Sequence, residues 1–516
     1  MRVEPPITEI SLTNEDGSRD LRILARGAGT TLIGRFFGRG ISALTQILTA
    51  RLLGPAAYGL YSIGWTILRL VTELSALGLQ HGVIKFGSEY WKKDDKKLKS
   101  ILFQSVSYSI LSSTIFGVLL FFSAPWIADV LFKKPELEIT IRVIATAIPF
   151  MGALRVAAAG TRVSQDTRYS IMTEDIGRPA INLGLFVGFF LIGWGLLGAL
   201  WSITLSAVIA VLWTVYYLRK LFPAAFSLPL KTIDRGGALI MFSIPTALTG
   251  FLYFLGNQVD RFFVGIFLPN VSMGIYQAMA QVSVLFAMIL GAFNAIFAPM
   301  IAELYHQGQM SRLERMYRIA TKWALYLSIP IFLVIVLLPI ETMCVLFGDI
   351  YAEDTIPLII LSLGQLFNVA TGSVGFLLIM TGRQNHWLLL SIMMVALSGV
   401  LSILLIPAFG LIGASLATTV SILSVFSFGL LDIYRSIGLW PYDRRIGKGL
   451  LAGVAAGISG YLLTGYNFHS DVFKLFCCAL MVGIVFFLML HLLGLDDEDK
   501  EIITIVTKKI KGMRRD

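Results

Sequence analysis

The chain has 516 residues, of which 56% are hydrophobic and 14% are charged. Soluble globular chains carry about 25% charged residues, so this composition excludes an ordinary soluble domain and predicts a polytopic membrane protein. The net charge of +10 requires no nucleic-acid partner, because basic loops beside anionic lipid headgroups account for such an excess.

The chain begins with a polar tail and continues with long apolar segments. The first 27 residues lack the features of a secretory signal peptide. A spanning helix needs about 20 apolar residues, and that length predicts an all-α protein with about 14 transmembrane helices. Their approximate extents are 29–52, 58–80, 100–122, 138–159, 173–192, 194–218, 237–266, 272–300, 317–338, 355–380, 385–407, 410–433, 446–465 and 472–493.

The chain repeats itself at a constant offset. Gly59 recurs as Gly274, and 274 − 59 = 215. The same offset relates Gly-Leu-Leu-Gly-Ala at 195–199 to Gly-Leu-Ile-Gly-Ala at 410–414. Two similar membrane lobes are a common plan of alternating-access transporters, whose substrate binds between the lobes. The predicted segments are a cytoplasmic tail (1–27), an N-lobe of six helices (28–220), a cytoplasmic linker (221–235), a C-lobe of six helices (236–435), two further helices (436–495) and a cytoplasmic amphipathic tail (496–516).

Lysine and arginine gather in alternate loops. One set of loops includes the basic stretches at 92–99 and 312–322, whereas the opposite loops are short and carry acidic residues such as Glu341 and Asp349. Because basic loops stay on the cytoplasmic side, we expect both termini in the cytoplasm and the protein in the inner or plasma membrane of the cell.

The first predicted span has one polar face. Arg35, Arg39 and Gln46 recur on it at helical spacing. A charge at the membrane centre costs about 2.5–3.5 kcal/mol on insertion scales, so it normally faces a bundle interior or a wet cavity. For Arg35, snorkelling to the headgroups is an open alternative. Arg39 lies deeper, between Gly38 and Gly40, and we expect it to line a cavity.

Further polar groups occur in three later spans. Arg69 and Glu73 stand four residues apart and can form an ion pair, although a binding role for Arg69 stays open. The seventh span carries Asn257, Asp260 and Arg261. The last two are adjacent, about 100° apart on a helix, so we do not expect them to share one contact. The candidate substrate-binding residues are Arg35, Arg39, Gln46, Arg69, Asn257, Asp260, Arg261 and Gln281.

The sign of these charges separates possible functions. A cation-coupled exporter of drugs or ions needs buried carboxylates, and here only Glu73 and Asp260 qualify. A cationic cavity instead favours an anionic substrate, because arginine presents a planar fork of donors to phosphate oxygens. Three cysteines and five scattered histidines show no metal-ligand spacing, so we expect no metal and no cofactor. No segment between the predicted helices is long enough for a soluble catalytic domain, so we expect no enzymatic activity.

Several stretches resemble a known family. Residues 25–62 and 77–90 resemble the opening of the polysaccharide (O-antigen, Wzx-type) flippases, which belong to the multidrug/oligosaccharidyl-lipid/polysaccharide (MOP) exporter superfamily. Residues 242–282 resemble the opening of that family's second lobe, and 382–420 its later helices.

The resemblance implies a flippase for a lipid-linked oligosaccharide, with this substrate and membrane lipids as partners. Other polysaccharide-assembly proteins are a partner class that it leaves open. A MATE-like exporter is the first alternative. A glycan polymerase or ligase is the second, but such an enzyme needs acid and base groups in a sizeable outward loop.

Overall fold

The computed structural model describes residues 14–223, 236–443, 445–466 and 468–494. Every regular element within these ranges is helical, which confirms the predicted all-α class. Nine of the described helices are long and apolar enough to cross a membrane, and one bent pair would make a tenth crossing. The chain is a multi-pass membrane protein. The predicted tail at 496–516 and most of the predicted linker lie outside the described residues.

The helices are α1 (Asn14–Ser75), α2 (Leu79–Tyr90), α3 (Asp95–Trp126), α4 (Leu137–Ala145), α5 (Ile148–Thr161), α6 (Arg168–Ser170), α7 (Arg178–Leu191), α8 (Gly195–Leu221), α9 (Gly236–Gly256), α10 (Val259–Phe267), α11 (Asn270–His306), α12 (Met310–Leu337), α13 (Pro339–Phe347), α14 (Ile356–Thr371), α15 (Val374–Met380), α16 (Gln384–Ile437), α17 (Ile446–Thr464) and α18 (Asp471–Leu492).

Two long helices each contain a pair of predicted spans. Helix α1 bends at Gly54, where φ is 73°, and Pro55 follows. Glycine adopts a positive φ without steric strain and proline lacks a backbone donor, so this pair separates the two spans. Helix α16 bends in the same way at Gly410, where φ is 56°. Helix α1 starts at Asn14 and therefore extends into the predicted polar tail.

Three predicted spans are irregular. The span at 237–266 is broken, because α9 ends at Gly256 and α10 begins at Val259. The span at 138–159 consists of α4 and α5, bent by 41°. The span at 173–192 begins in a π-helical turn before α7. Irregular backbone at membrane depth is tolerated where it is buried in protein or lines a cavity.

The buried apolar residues join the two sequence copies at one end of the molecule. The largest cluster contains residues of both copies, among them Tyr61 and its counterpart Tyr276. Two further clusters lie apart from it. The one around Leu98 combines first-copy residues with Leu239 of the second copy, and the one around Leu313 consists mainly of second-copy residues. A fourth cluster packs α17 and α18 against α12. This arrangement leaves space between the copies beyond the shared cluster.

The copies touch through a reciprocal contact between α1 and α11. A Cβ atom at Gly59 would overlap the carbonyl oxygen of Asn270, and one at Gly274 would overlap that of Pro55. Asn270 stands 215 positions after Pro55, as Gly274 does after Gly59. Each copy therefore contributes the same glycine and the same carbonyl group to the crossing.

Candidate functional site

A chamber of about 1420 Å³ is lined by residues of both sequence copies. Six of the eight predicted site residues line it: Arg35, Arg39, Gln46, Arg69, Arg261 and Gln281. The other two, Asn257 and Asp260, line a side cavity of about 210 Å³. The side cavity adjoins the chamber, because Trp387 and Phe426 line both.

Helix α1 presents three arginines to the chamber. Arg35 Nε lies 3.7 Å from a carboxylate oxygen of Asp175. Arg39 forms no ion pair with any carboxylate of the described residues. Its Nη1 lies opposite Gly291 of α11, where a Cβ atom would be 3.3 Å away. The Arg69 guanidinium lies 5.0 Å from the centre of the Phe254 ring, a cation–π contact with α9.

Glu73 is paired with an arginine that is not its neighbour on α1. Arg155 of α5 donates from Nη2 to Glu73 Oε1 at 3.0 Å and from Nη1 to Oε2. The expected pair between Glu73 and Arg69 is therefore wrong. Arg155 approaches from another helix and offers two parallel N–H groups to both carboxylate oxygens, a geometry that Arg69 does not provide.

The polar residues of the seventh predicted span form one network beside the helix break. Arg261 donates from Nε to Gln277 Oε1 at 2.9 Å and from Nη1 to the Asn257 carbonyl at 2.7 Å. The Tyr276 hydroxyl donates to Asp260 at 2.8 Å. Arg261 Nη1 also lies 3.7 Å from Asp260 Oδ1, so the expectation that these neighbours share no contact is wrong. The long arginine side chain folds back along the first turn of α10.

Several residues that line the chamber are absent from the predicted set. Arg155, Glu174 and Arg178 belong to this group, and each interrupts an otherwise apolar segment. That interruption is a usable signal, because a charge within a span normally faces a cavity or a partner. Trp387 and Phe426 also line the chamber, but aromatic residues are common in apolar helices and carry no comparable signal.

The chamber has an excess of positive charge. Its charged lining residues are Arg35, Arg39, Arg69, Arg155, Arg178, Arg261, Glu73 and Glu174. Glu73 is paired with Arg155, and Glu174 accepts from Arg162 at 3.1 Å. Among the described residues, no group of three His, Cys, Asp or Glu side chains could hold a metal ion. The surplus of arginine favours an anionic ligand.

Comparison with known proteins identifies the family. A family profile described as "Polysaccharide biosynthesis protein" matches residues 24–305, which is more than half of the chain. The chain belongs to this family. It is 26% identical over 191 residues to the capsular polysaccharide biosynthesis protein CapF of Staphylococcus aureus, a match that covers 37% of the chain and 48% of CapF. The chain thus spans about half the length of this relative.

A second relative matches over more of its length. The chain is 22% identical over 412 residues to the probable low-salt glycan biosynthesis flippase Agl15 of Haloferax volcanii, which covers 77% of the chain and 81% of Agl15.

Two solved structures share the fold. The lipid II flippase MurJ in an inward closed conformation has a TM-score of 0.70 at 15% identity, covering 89% of the chain and 97% of MurJ. An inward-facing multidrug resistance MATE transporter of the MOP superfamily has a TM-score of 0.60 at 16% identity, covering 79% of the chain and 98% of the transporter. The predicted membership of a polysaccharide biosynthesis family is confirmed by the profile match.

Proposed function

We propose that the protein is a flippase that moves a polyprenyl-(pyro)phosphate-linked oligosaccharide from the cytoplasmic to the outer leaflet by alternating access. The observation that carries this proposal is the charge of the chamber between the two copies, whose lining contains six arginines and two glutamates. Arginine matches phosphate oxygens with paired N–H donors, and the anionic headgroup of a lipid carrier supplies those oxygens. Agl15, which is named a probable glycan biosynthesis flippase, and the lipid II flippase MurJ support the same class.

We infer fourteen transmembrane helices in two lobes, at 28–220 and 236–435, followed by two helices within 436–495. The ten possible crossings do not include α1. Adding the two halves of α1, a second crossing from the bend in α16 and the irregular span at 173–192 supports this number. The reciprocal glycine contact supports the repeat, as do Gly195 and Gly410, repeat mates whose φ angles are 50° and 56°.

We place both termini in the cytoplasm of a cell whose plasma (inner) membrane holds the protein. In that orientation the outward face is closed by cations on helix ends. Arg51 donates from Nε to the Leu346 carbonyl at 2.8 Å, in the last turn of α13. Lys134 donates to the carbonyls of Gly265 and Leu268 at the end of α10, each at 2.7 Å. Cations stabilise helix C-termini, so these contacts favour a state in which the chamber is reached from inside.

Replacement of Arg39 by alanine tests the proposed phosphate site. Losing charge-assisted hydrogen bonds worth about 1.5–3 kcal/mol should slow transport about 10- to 100-fold. The transport rate of Arg39→Lys should lie between those of the wild type and Arg39→Ala. The measurement is flipping of a fluorescent polyprenyl-pyrophosphate oligosaccharide in proteoliposomes. Arg312→Ala is the matched control, because Arg312 is exposed on α12 and does not line the chamber. Full transport by a folded Arg39→Ala protein would contradict the proposal.

The rival exporter function needs a carboxylate that is free to bind a cation. Glu73 is held by Arg155, and Asp260 is buried beneath Tyr276 and Arg261, so both candidates already have partners. Efflux of organic cations driven by Na⁺ or H⁺, abolished by Glu73→Gln or Asp260→Asn, would favour the exporter instead.

A further inference from the structure

The two walls of the chamber differ in charge although they descend from one repeat. Five lining arginines of the N-lobe have no basic counterpart 215 positions later. The pairs are Arg35 and Gly250, Arg39 and Phe254, Arg69 and Val284, Arg155 and Ala370, and Arg178 and Met393. Gly250, Val284 and Met288 (the counterpart of Glu73) line the same chamber. Equivalent positions therefore face one space, but five of the six lining arginines lie on the N-lobe wall.

The C-lobe wall consists of amides and aromatic rings. Its polar and aromatic lining includes Gln277, Gln281, Asn294, Asn368, Trp387 and Phe426. Side-chain amides both donate and accept hydrogen bonds, as sugar hydroxyl groups do. Arg261 is the one basic residue of this wall among the described residues, and Gln277, the Asn257 carbonyl and Asp260 already engage it.

Packing fixes the orientation of the largest ring on this wall. The Trp387 indole lies against the backbone of α15, where a Cβ atom at Gly375 would be 2.9 Å from the ring. The Phe426 ring centre lies 6.4 Å away, tilted by 54°. Nearby, the Ser373 hydroxyl donates to Asn294 Oδ1, which holds that amide between α11 and the turn before α15. Ring and amide are thus positioned before any ligand binds, which reduces the ordering that binding requires.

We propose that this wall is the binding subsite for the uncharged sugars next to the carrier phosphate, with Trp387 as the stacking surface. The proposal rests on the proposed flippase function. A sugar ring has an apolar C–H face for the indole and hydroxyl groups for Asn294 and Asn368, the combination of apolar surface and few polar groups that ligand pockets use. A sugar carboxylate would lose water here without gaining a free cation, which is unfavourable.

The test measures binding of three probes to the purified full-length protein in nanodiscs. The probes are polyprenyl pyrophosphate without sugar, the same lipid carrying a neutral trisaccharide, and the same lipid carrying a trisaccharide with a uronic acid. We expect wild-type protein to bind the neutral glycolipid about tenfold more tightly than either other probe, since aromatic contacts and paired hydrogen bonds are each worth about 1 kcal/mol. Trp387→Leu, which keeps apolar bulk, should remove that preference and leave the affinity for the sugar-free lipid unchanged.

Two further variants keep the outcome interpretable. Gly375→Ala retains the tryptophan but displaces its ring, and it should lower affinity for the neutral glycolipid alone. Trp194→Ala alters an exposed indole outside the chamber and should change nothing. Equal loss for all probes in Trp387→Leu, or equal wild-type affinity for neutral and acidic glycans, would overturn the subsite. If polyprenyl pyrophosphate does not bind, or binds equally well to wild-type protein and Arg39→Ala, the flippase function itself would be overturned.

Discussion

At the scale of single residues, Lys134 lies on the face that we place outward, and burial alters its ionisation. Burial against the C-lobe lowers the pKa of Lys134 from 10.5 to about 8, and nearby Glu136 opposes part of that effect. When the lobes separate on this face, the lysine is exposed and its pKa returns toward 10.5. The closed state therefore binds the proton less tightly than the open state, so rising pH favours closure.

We predict that the outward face closes further as the pH rises from about 8 to 10.5 and shows no response well below pH 8, where Lys134 is protonated in both states. Spin labels at the exposed positions Lys133 and Ile350, in a cysteine-free background, report the distance across this face. Lys134→Met should abolish the response. A shift toward longer distances as pH rises would show that the sign is wrong.

The site could be predicted residue by residue only where spacing carries information. Arg39 and Gln46 share one face of an otherwise apolar helix, and the structure places both in the chamber. The partner of Glu73 could not be predicted, because Arg155 lies 82 positions away and only the packing of α5 on α1 brings them together. Trp387 could not be predicted from its sequence position, since its proposed role depends on its packing against Gly375.

At the scale of elements, the contact between Arg51 and the end of α13 links the lobes. Arg51→Leu removes the N–H donors but keeps a side chain that suits the membrane. Loss of hydrogen bonds worth about 0.5–1.5 kcal/mol should raise the population with a separated outward face about 2- to 10-fold, seen with the same spin labels. Arg142→Leu is the control, because Arg142 pairs with Glu138 within its own helix. An unchanged distance distribution in Arg51→Leu would exclude this contact as a determinant of closure.

The existence of helices follows from apolar length, whereas their irregularities follow from tertiary structure. Gly54 and Pro55 mark a bend that can be predicted from the sequence. The break before Val259 could not be predicted in this way, because Asn257 and Gln258 are compatible with a polar helix face. There the Asn257 carbonyl accepts from Arg261, an interaction that offers the freed backbone group a partner.

At the scale of the whole molecule, the two copies keep the same residues where their helices cross and differ where they line the chamber. Positions that build the crossing of the lobes keep glycine in both copies, because the helices approach too closely for a Cβ atom. Positions that face the chamber differ, and unlike walls suit the two unlike ends of the proposed ligand. The offset of 215 could be found from the sequence, but the reciprocity of the crossing required coordinates.

That reciprocity makes Gly59 and Gly274 equivalent in a testable way. Alanine at either position forces the same separation of α1 from α11, and overpacking of this kind costs about 1–3 kcal/mol. We therefore expect Gly59→Ala and Gly274→Ala to lower the unfolding temperature equally in detergent. The double variant should lose less than the two losses combined, because the first separation makes room for the second methyl group. Gly184→Ala, at a helical glycine with open space around it, should be neutral or stabilising. Unequal or strictly additive losses would mean that the two copies do not meet at a shared pseudo-twofold contact.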